Sequence, residues 1–177
     1  MGFNALFGGD LHMRKWMIVL LIAALAMSLW AVVLAEEAEI WANVSAEEVE
    51  DAVGVGLGVP DGAESVCYSL LADENLAEVS FTWYDLEYVA RVKPAEAFED
   101  LSGLDIDSWD QTVEFDVSGC PCTDSRVRTG EEELELCQWY DAENGLMYCI
   151  FTSDTDLYGF DITAAASAVY APALATE

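Results

Sequence analysis

Between residues 65 and 153 the side chains repeat with a period of two. Leu76–Tyr84 places Ala77, Val79, Phe81 and Trp83 on one face and Glu78, Ser80 and Thr82 on the other. Leu86–Lys93 answers with Tyr88, Ala90 and Val92 inward and Glu87, Val89, Arg91 and Lys93 outward. Alternation of this kind keeps one face dry in a strand and scatters apolar groups around a helix. With only Asp85 between them, the two runs read as an antiparallel hairpin. Pro94 ends it, because proline cannot donate to a ladder. Ser65–Leu71 reads as the strand before it, with Asp73-Glu74-Asn75 as the turn. Farther on, Thr112–Val117 turns Val113, Phe115 and Val117 inward. Gly119-Cys120-Pro121-Cys122 reads as a bend and Arg126–Thr129 as a short strand. Leu134–Tyr140 and Leu146–Thr152 flank a turn over Asp141–Gly145.

Helical signals frame these strands. Ser45-Ala46-Glu47-Glu48 has the capping-box pattern, with Val49, Ala52 and Val53 as the apolar stripe behind it and Gly54 as its stop. Ala95–Leu101 reads as a helical turn. Asp156–Tyr170, rich in alanine and closed by Pro172, reads as a terminal helix. The expected fold is an α+β domain over residues 45–172. Its antiparallel sheet has about six to seven strands, with a short N-terminal helix and a longer C-terminal helix packed on one face. Residues 36–44 are expected as a mobile entry and 173–177 as a tail.

The segment before residue 36 reads as an address. Met13-Arg14-Lys15-Trp16 supplies positive charge, Met17–Leu34 is an uncharged run of 18 residues, and Val33-Leu34-Ala35 offers a small-residue cleavage site before Glu36-Glu37. This is the order of a secretory signal peptide over residues 1–35. An uncleaved anchor is the alternative, since a helix of that length just covers a hydrocarbon core of about 30 Å. Either way the rest of the chain is expected outside the cytoplasm, secreted or held at the membrane by the N-terminal segment alone.

The charge balance narrows the partners. The chain has 34 acids and 6 bases, for a formal net of −28. All the acids but Asp10 follow residue 35, whereas His12, Arg14 and Lys15 precede it. The exported part then has no histidine, and its bases are Arg91, Lys93, Arg126 and Arg128. Such a field repels nucleic acid and anionic lipid. At 54% hydrophobic the chain is too apolar for a disordered acidic tail. The acid excess also suits a high-salt habitat, with the five cysteines weighing against it. Without histidine, no serine or cysteine has a ready activating base. The glycines at 54, 56 and 58 precede no helix with a basic residue, which argues against a phosphate loop.

An exported location permits disulfides. Centring the last turn on Glu143 sets Cys137 opposite Cys149, so these two are the expected bridge. Cys67 with Cys120 or Cys122 is a second candidate pair. Cys120-Pro121-Cys122 leaves a redox pair, a thiolate metal site and an unpaired thiol open beside structural use. Asp105, Asp107 and Asp110, and Asp154, Asp156 and Asp161 near Gly159, have part of a calcium-loop spacing without the full pattern. They read as solvated loops or caps, with weak calcium binding as the alternative, and no other cofactor is expected. Trp139, Tyr140, Arg126 and Arg128 are the candidate ligand surface. Trp139 either packs beside the bridge or stands exposed as a recognition residue, and the arginines either pair with carboxylates or form an anion pocket.

The segments FTWYDLEYVARVK, EDLSGLD, QWYDAENGLMYCIF and DTDLYGFDITAAA together resemble a domain family of unknown function. That family occurs in exported or membrane-anchored proteins of Gram-positive bacteria. The resemblance spans about residues 60–170 and rests on turn and core patterns. It implies an extracytoplasmic domain and carries over no catalytic residue. The expectation is therefore a noncatalytic binding or sensing domain for an envelope or extracellular ligand. A small glycosidase-like hydrolase, with two acids about 5–10 Å apart, and an envelope structural or cation-binding protein are the alternatives.

Overall fold

Eight strands form one antiparallel sheet, and their order follows from two meanders joined in the middle. The computed structural model describes residues 41–154, 157 and 162–171. The strands are β1 (Ala42–Val44), β3 (Glu64–Leu71), β4 (Leu76–Trp83), β5 (Leu86–Pro94), β6 (Gln111–Val117), β7 (Cys120–Thr129), β8 (Glu132–Asp141) and β9 (Leu146–Asp154). They lie in the order β1-β3-β4-β5-β9-β8-β7-β6. A separate ribbon pairs β2 (Gly56–Leu57) with β10 (Tyr170–Ala171). The helices are α1 (Ala46–Val53) and α2 (Ile162–Val169).

The capping box forms as the sequence predicts. The Ser45 hydroxyl accepts from the Glu48 amide at 3.2 Å, and Glu48 Oε2 accepts from the Ser45 amide at 2.7 Å. Gly54 ends α1 in the left-handed conformation. Val49 and Val53 are buried, whereas Ala52, expected in the same stripe, is exposed. The glycine run then enters β2. A Cβ on Gly58 would lie 2.2 Å from the Ala168 carbonyl oxygen. Glycine there allows the exits of α1 and α2 to close on each other, with the Gly58 amide donating to the Val169 carbonyl at 3.1 Å.

The face with the odd-numbered residues of β4 and the even-numbered ones of β5 holds the main core. Ala77, Val79, Phe81, Tyr88, Ala90, Val92, Trp139, Tyr148 and Ile150 cluster there with Val49 and Val53 of α1 and Ile162, Ala165, Ala166 and Val169 of α2. The opposite face is also partly dry, which the single-sided reading missed. β5 and β6 are four strand spacings apart, about 19 Å, so residues 95–110 must cross the back of β9, β8 and β7 to reach β6. Leu101, Leu104 and Trp109 of this crossing pack with Leu136, Met147, Cys149 and Phe151.

Arg91 pins the crossing. Its Nε donates to Glu78 Oε2 at 2.8 Å, and Nη1 donates to the Leu101 and Ser102 carbonyls at 3.0 and 2.7 Å. The guanidinium also lies over the rings of Trp41 and Phe151. The segment has no helix at Ala95–Leu101, contrary to expectation: the Ala95 carbonyl, which a helix would give to the Glu99 amide, accepts from the Tyr140 hydroxyl instead.

Other expectations shift. The entry residues Ala42–Val44 pair with β3 as β1. Residues 120–129 form one strand where a bend and a short strand were expected. Pro121 is tolerated because the β8 ladder begins only at Cys122, so its nitrogen faces no partner there. Both helices are eight residues long as described. The expected start of the terminal helix at Asp156, the N-terminal segment 1–35, residues 36–40, Pro172 and the tail 173–177 lie outside the described residues. Among the described residues no helix is long and apolar enough to cross a membrane.

Candidate functional site

Pairing of Trp83 with Leu86 leaves Tyr84 and Asp85 as a two-residue loop between β4 and β5. Both have positive φ, 50° and 64°, as a type I′ turn requires. Aspartate tolerates this conformation. A bulky tyrosine disfavours it, at a cost of roughly 1 kcal/mol. The Tyr84 ring is nonetheless 77% exposed, among the most open of the large apolar groups.

The ring is held from below. Its centroid is 4.5 Å from that of Trp83. Trp83 donates its indole N–H to the Asp61 carbonyl at 3.2 Å and lies 6.3 Å from Tyr88. Tyr88 stacks on Phe81 at 5.1 Å in the core. A ladder of four aromatic rings therefore runs from the core to the hairpin tip. Around the tip, Asp61, Glu64, Asp85 and Glu87 are exposed. Glu64 and Glu87 both oppose Thr82 across the sheet. Among the described residues each of the four bases is paired: Arg91 with Glu78, Lys93 with Glu99, Arg126 with Glu135 and Arg128 with Glu133. Glu64 and Glu87 share the face of Thr82, opposite that of Trp83, so Asp85 is the acid beside the ring in the turn itself, and an open π-face in so acidic a chain attracts cations.

A second unusual group lies inside. Glu135 is 1% exposed on the helix-bearing face of β8, beside Thr152 of β9. Arg126 Nη2 donates to its Oε1 at 2.8 Å. Burial pushes the Glu135 carboxyl up to about 7, against the pull of Arg126 and with the nearby Asp124 carboxylate adding to the rise. Burial together with the Glu135 charge also raises the Tyr88 phenol. The neighbouring Glu133 accepts from the Leu157 amide at 2.9 Å and from Arg128, which holds its carboxyl below the usual range.

The four residues expected as a ligand surface are divided between the two faces of the sheet. Trp139 is fully buried and stacks on Tyr148 at 5.1 Å. Tyr140 points to the other face and donates to the Ala95 carbonyl at 3.3 Å. Arg126 and Arg128 are tied to Glu135 and Glu133.

The expected Cys137–Cys149 bridge is replaced by Cys122–Cys137, with Cα atoms 6.7 Å apart. The reason is register. Asp141 pairs with Leu146, which sets Cys137 against Ile150 and Cys149 against Gln138. A slip of one residue moves a side chain to the opposite face. Cys67 is exposed on β3, five spacings or about 24 Å from β7, so it reaches neither Cys120 nor Cys122. Cys67, Cys120 and Cys149 are free thiols.

Asp105 and Asp107 are exposed, and Asp110 accepts from the Arg128 amide at 3.0 Å. Asp156, Gly159 and Asp161 of the second acidic set lie outside the described residues. Among the described residues no group of three or more His, Cys, Asp or Glu is placed to hold a metal ion.

Two residues escaped the sequence reading. The alternation carries the strand on to Tyr84, although its place beside Asp85 between two alternating runs marks a tip without glycine. Glu135 shares its strand parity with Cys137 and Trp139, and an acid on an inward face was the available signal. No family model, no curated protein and no solved structure matches this chain.

Proposed function

We propose that this chain is an exported, noncatalytic binding module that takes a cationic partner on the Tyr84 tip. The observation that carries the reading is Tyr84 itself. A large aromatic sits, open to solvent, in a backbone conformation suited to glycine or asparagine. Strain kept at an exposed position marks a side chain retained for its contacts with something else. Asp85 beside it in the turn, the acid excess of the chain and the internal pairing of all four described bases set the sign of the partner. The order of charged, apolar and small residues over 1–35, and the resemblance of residues 60–170 to an exported domain family, support an extracytoplasmic place.

A carboxylate hydrolase is the second reading, favoured by the adjacency of Glu135 and Asp124. Binding ranks first because Glu135 is sealed beneath Arg126, whereas Tyr84 is open. The test is titration of octalysine into the full chain, followed by tryptophan fluorescence. Tyr84→Ala is expected to weaken binding by a factor of ~5, as for loss of one exposed cation–π contact. Equal affinity for the variant removes the tip as the site. A neutral oligosaccharide that binds at Tyr84 while octalysine does not overturns the ligand class.

A further inference from the structure

The two edges of the sheet are finished differently. At one edge, β3 is covered over Tyr68–Leu70 by β1, and its remaining length is broken by a bulge between Glu64 and Cys67, with Ser65 at φ 54°. A short cover strand and a bulge are devices that stop an edge from accepting another strand. At the other edge, β6 has neither. Its seven residues pair with β7 in continuous register from Gln111↔Arg126 to Val117↔Cys120. No strand among the described residues lies on its outer side. In an antiparallel ladder every second residue turns its N–H and C=O away from its partner. Among the described residues β6 therefore presents an unbroken row of donors and acceptors.

The side chains of β6 define what fits beside it. On the helix-bearing face, Val113 is 46% exposed and Phe115 is half-buried against the core. On the opposite face, Glu114 and Asp116 are exposed, with Asp116 Oδ1 accepting from the Gly119 amide at 2.7 Å and Oδ2 left for a guest. A guest strand laid against β6 continues both faces, with its own alternate side chains beside these. One set would meet valine and phenylalanine, and the other would meet two carboxylates. A second copy of the chain would bring the same carboxylates and a net charge of −28, so self-pairing is opposed by repulsion.

We infer that β6 is a strand-addition site for an extended peptide in which apolar and basic residues alternate. This goes beyond the Tyr84 reading and does not depend on it. The β4–β5 hairpin and β6 are separated by the width of β9, β8 and β7.

Two nine-residue probes test this against the full chain: one alternates valine and lysine, and the other has the same residues in two blocks. The alternating peptide should bind at least tenfold more tightly. Hydrogen exchange should show new protection of the β6 amides and none at β3. The double variant Glu114→Lys, Asp116→Lys should lose at least tenfold in affinity, with its circular dichroism unchanged, while Tyr84→Ala should bind the alternating peptide like the parent. Equal binding of the two probes, protection confined to the hairpin tip, or full affinity in the charge-reversed variant would each overturn the inference. So would sedimentation showing that the chain already pairs with itself in 1 M salt and loses that pairing in the charge-reversed variant.

Discussion

Tyr84 and Glu135 are each held in a state that the isolated residue avoids, one by backbone conformation and the other by burial. Asparagine enters the left-handed region more readily than tyrosine. Tyr84→Asn is therefore expected to raise stability by ~0.5–1 kcal/mol, read as a higher urea midpoint, while octalysine binding falls. A lower midpoint would mean that stacking on Trp83 at 4.5 Å outweighs the strain, and the argument for a functional tyrosine would lose its basis. Glu135 gives the opposite kind of test. Its folded value of about 7 lies above the ordinary 4.5, so between these values the native state binds more protons than the unfolded one. The contribution of this group to stability is fully present below the unfolded value and is lost as pH rises through the folded one. From about pH 5 to about pH 7.5 the parent should lose on the order of 2 kcal/mol, and Glu135→Gln should flatten that slope. A parent curve rising with pH over this range would sink the assignment. Parity along β8 places Glu135 beside Cys137 and Trp139, so its position was legible from the sequence. Its partner was not, because Arg126 comes from a strand whose register depends on a turn elsewhere.

At the level of elements, alternation located β3, β4, β5, β8 and β9 to within a residue or two, and the capping box located α1. Pairing was less legible. The side chain of Asp141 accepts from the amides of Glu143 and Asn144 at 3.0 and 3.1 Å, which makes the turn four residues long and moves its centre off Glu143. That half-residue shift exchanges Cys149 for Cys122 as the partner of Cys137. β1 is too short to show a period, and the crossing at 95–110 has none, so neither the first strand nor the second dry face was visible beforehand. The corrected pairing predicts a labelling pattern. Alkylation of denatured, unreduced protein should mark Cys67, Cys120 and Cys149 and spare Cys122 and Cys137. In the native protein Cys67 should react first, since it is exposed. Cys149 should react last, because burial pushes its thiol up to about 12. Replacing both Cys122 and Cys137 with alanine should cost about 3 kcal/mol, the value for a loop of this length in the chain-entropy account. Labelling of Cys122 and Cys137 without reductant would refute the bridge.

For the molecule as a whole, the acid excess and the arrangement of its bases act together. The described bases are all spent on internal pairs, two of them on half-buried Glu78 and buried Glu135. Acids outnumber bases 34 to 6, and the self-repulsion of such an excess opposes the compact state. Salt shortens the reach of that repulsion, from about 10 Å at 0.1 M to about 3 Å at 1 M. The internal pairs respond less, because partly buried charges are screened less than exposed ones. Raising sodium chloride over this range should therefore raise the melting temperature by roughly 5 °C. Octalysine binding at the Tyr84 tip should weaken over the same interval, since the field that repels the chain from itself is the field that draws the cation. Stability and affinity then move in opposite directions with one variable, and calorimetry and fluorescence on the same samples read both. If the melting temperature falls with salt, the four ion pairs dominate the electrostatics. The chain would then have no general preference for a cationic partner beyond the carboxylates at the tip itself.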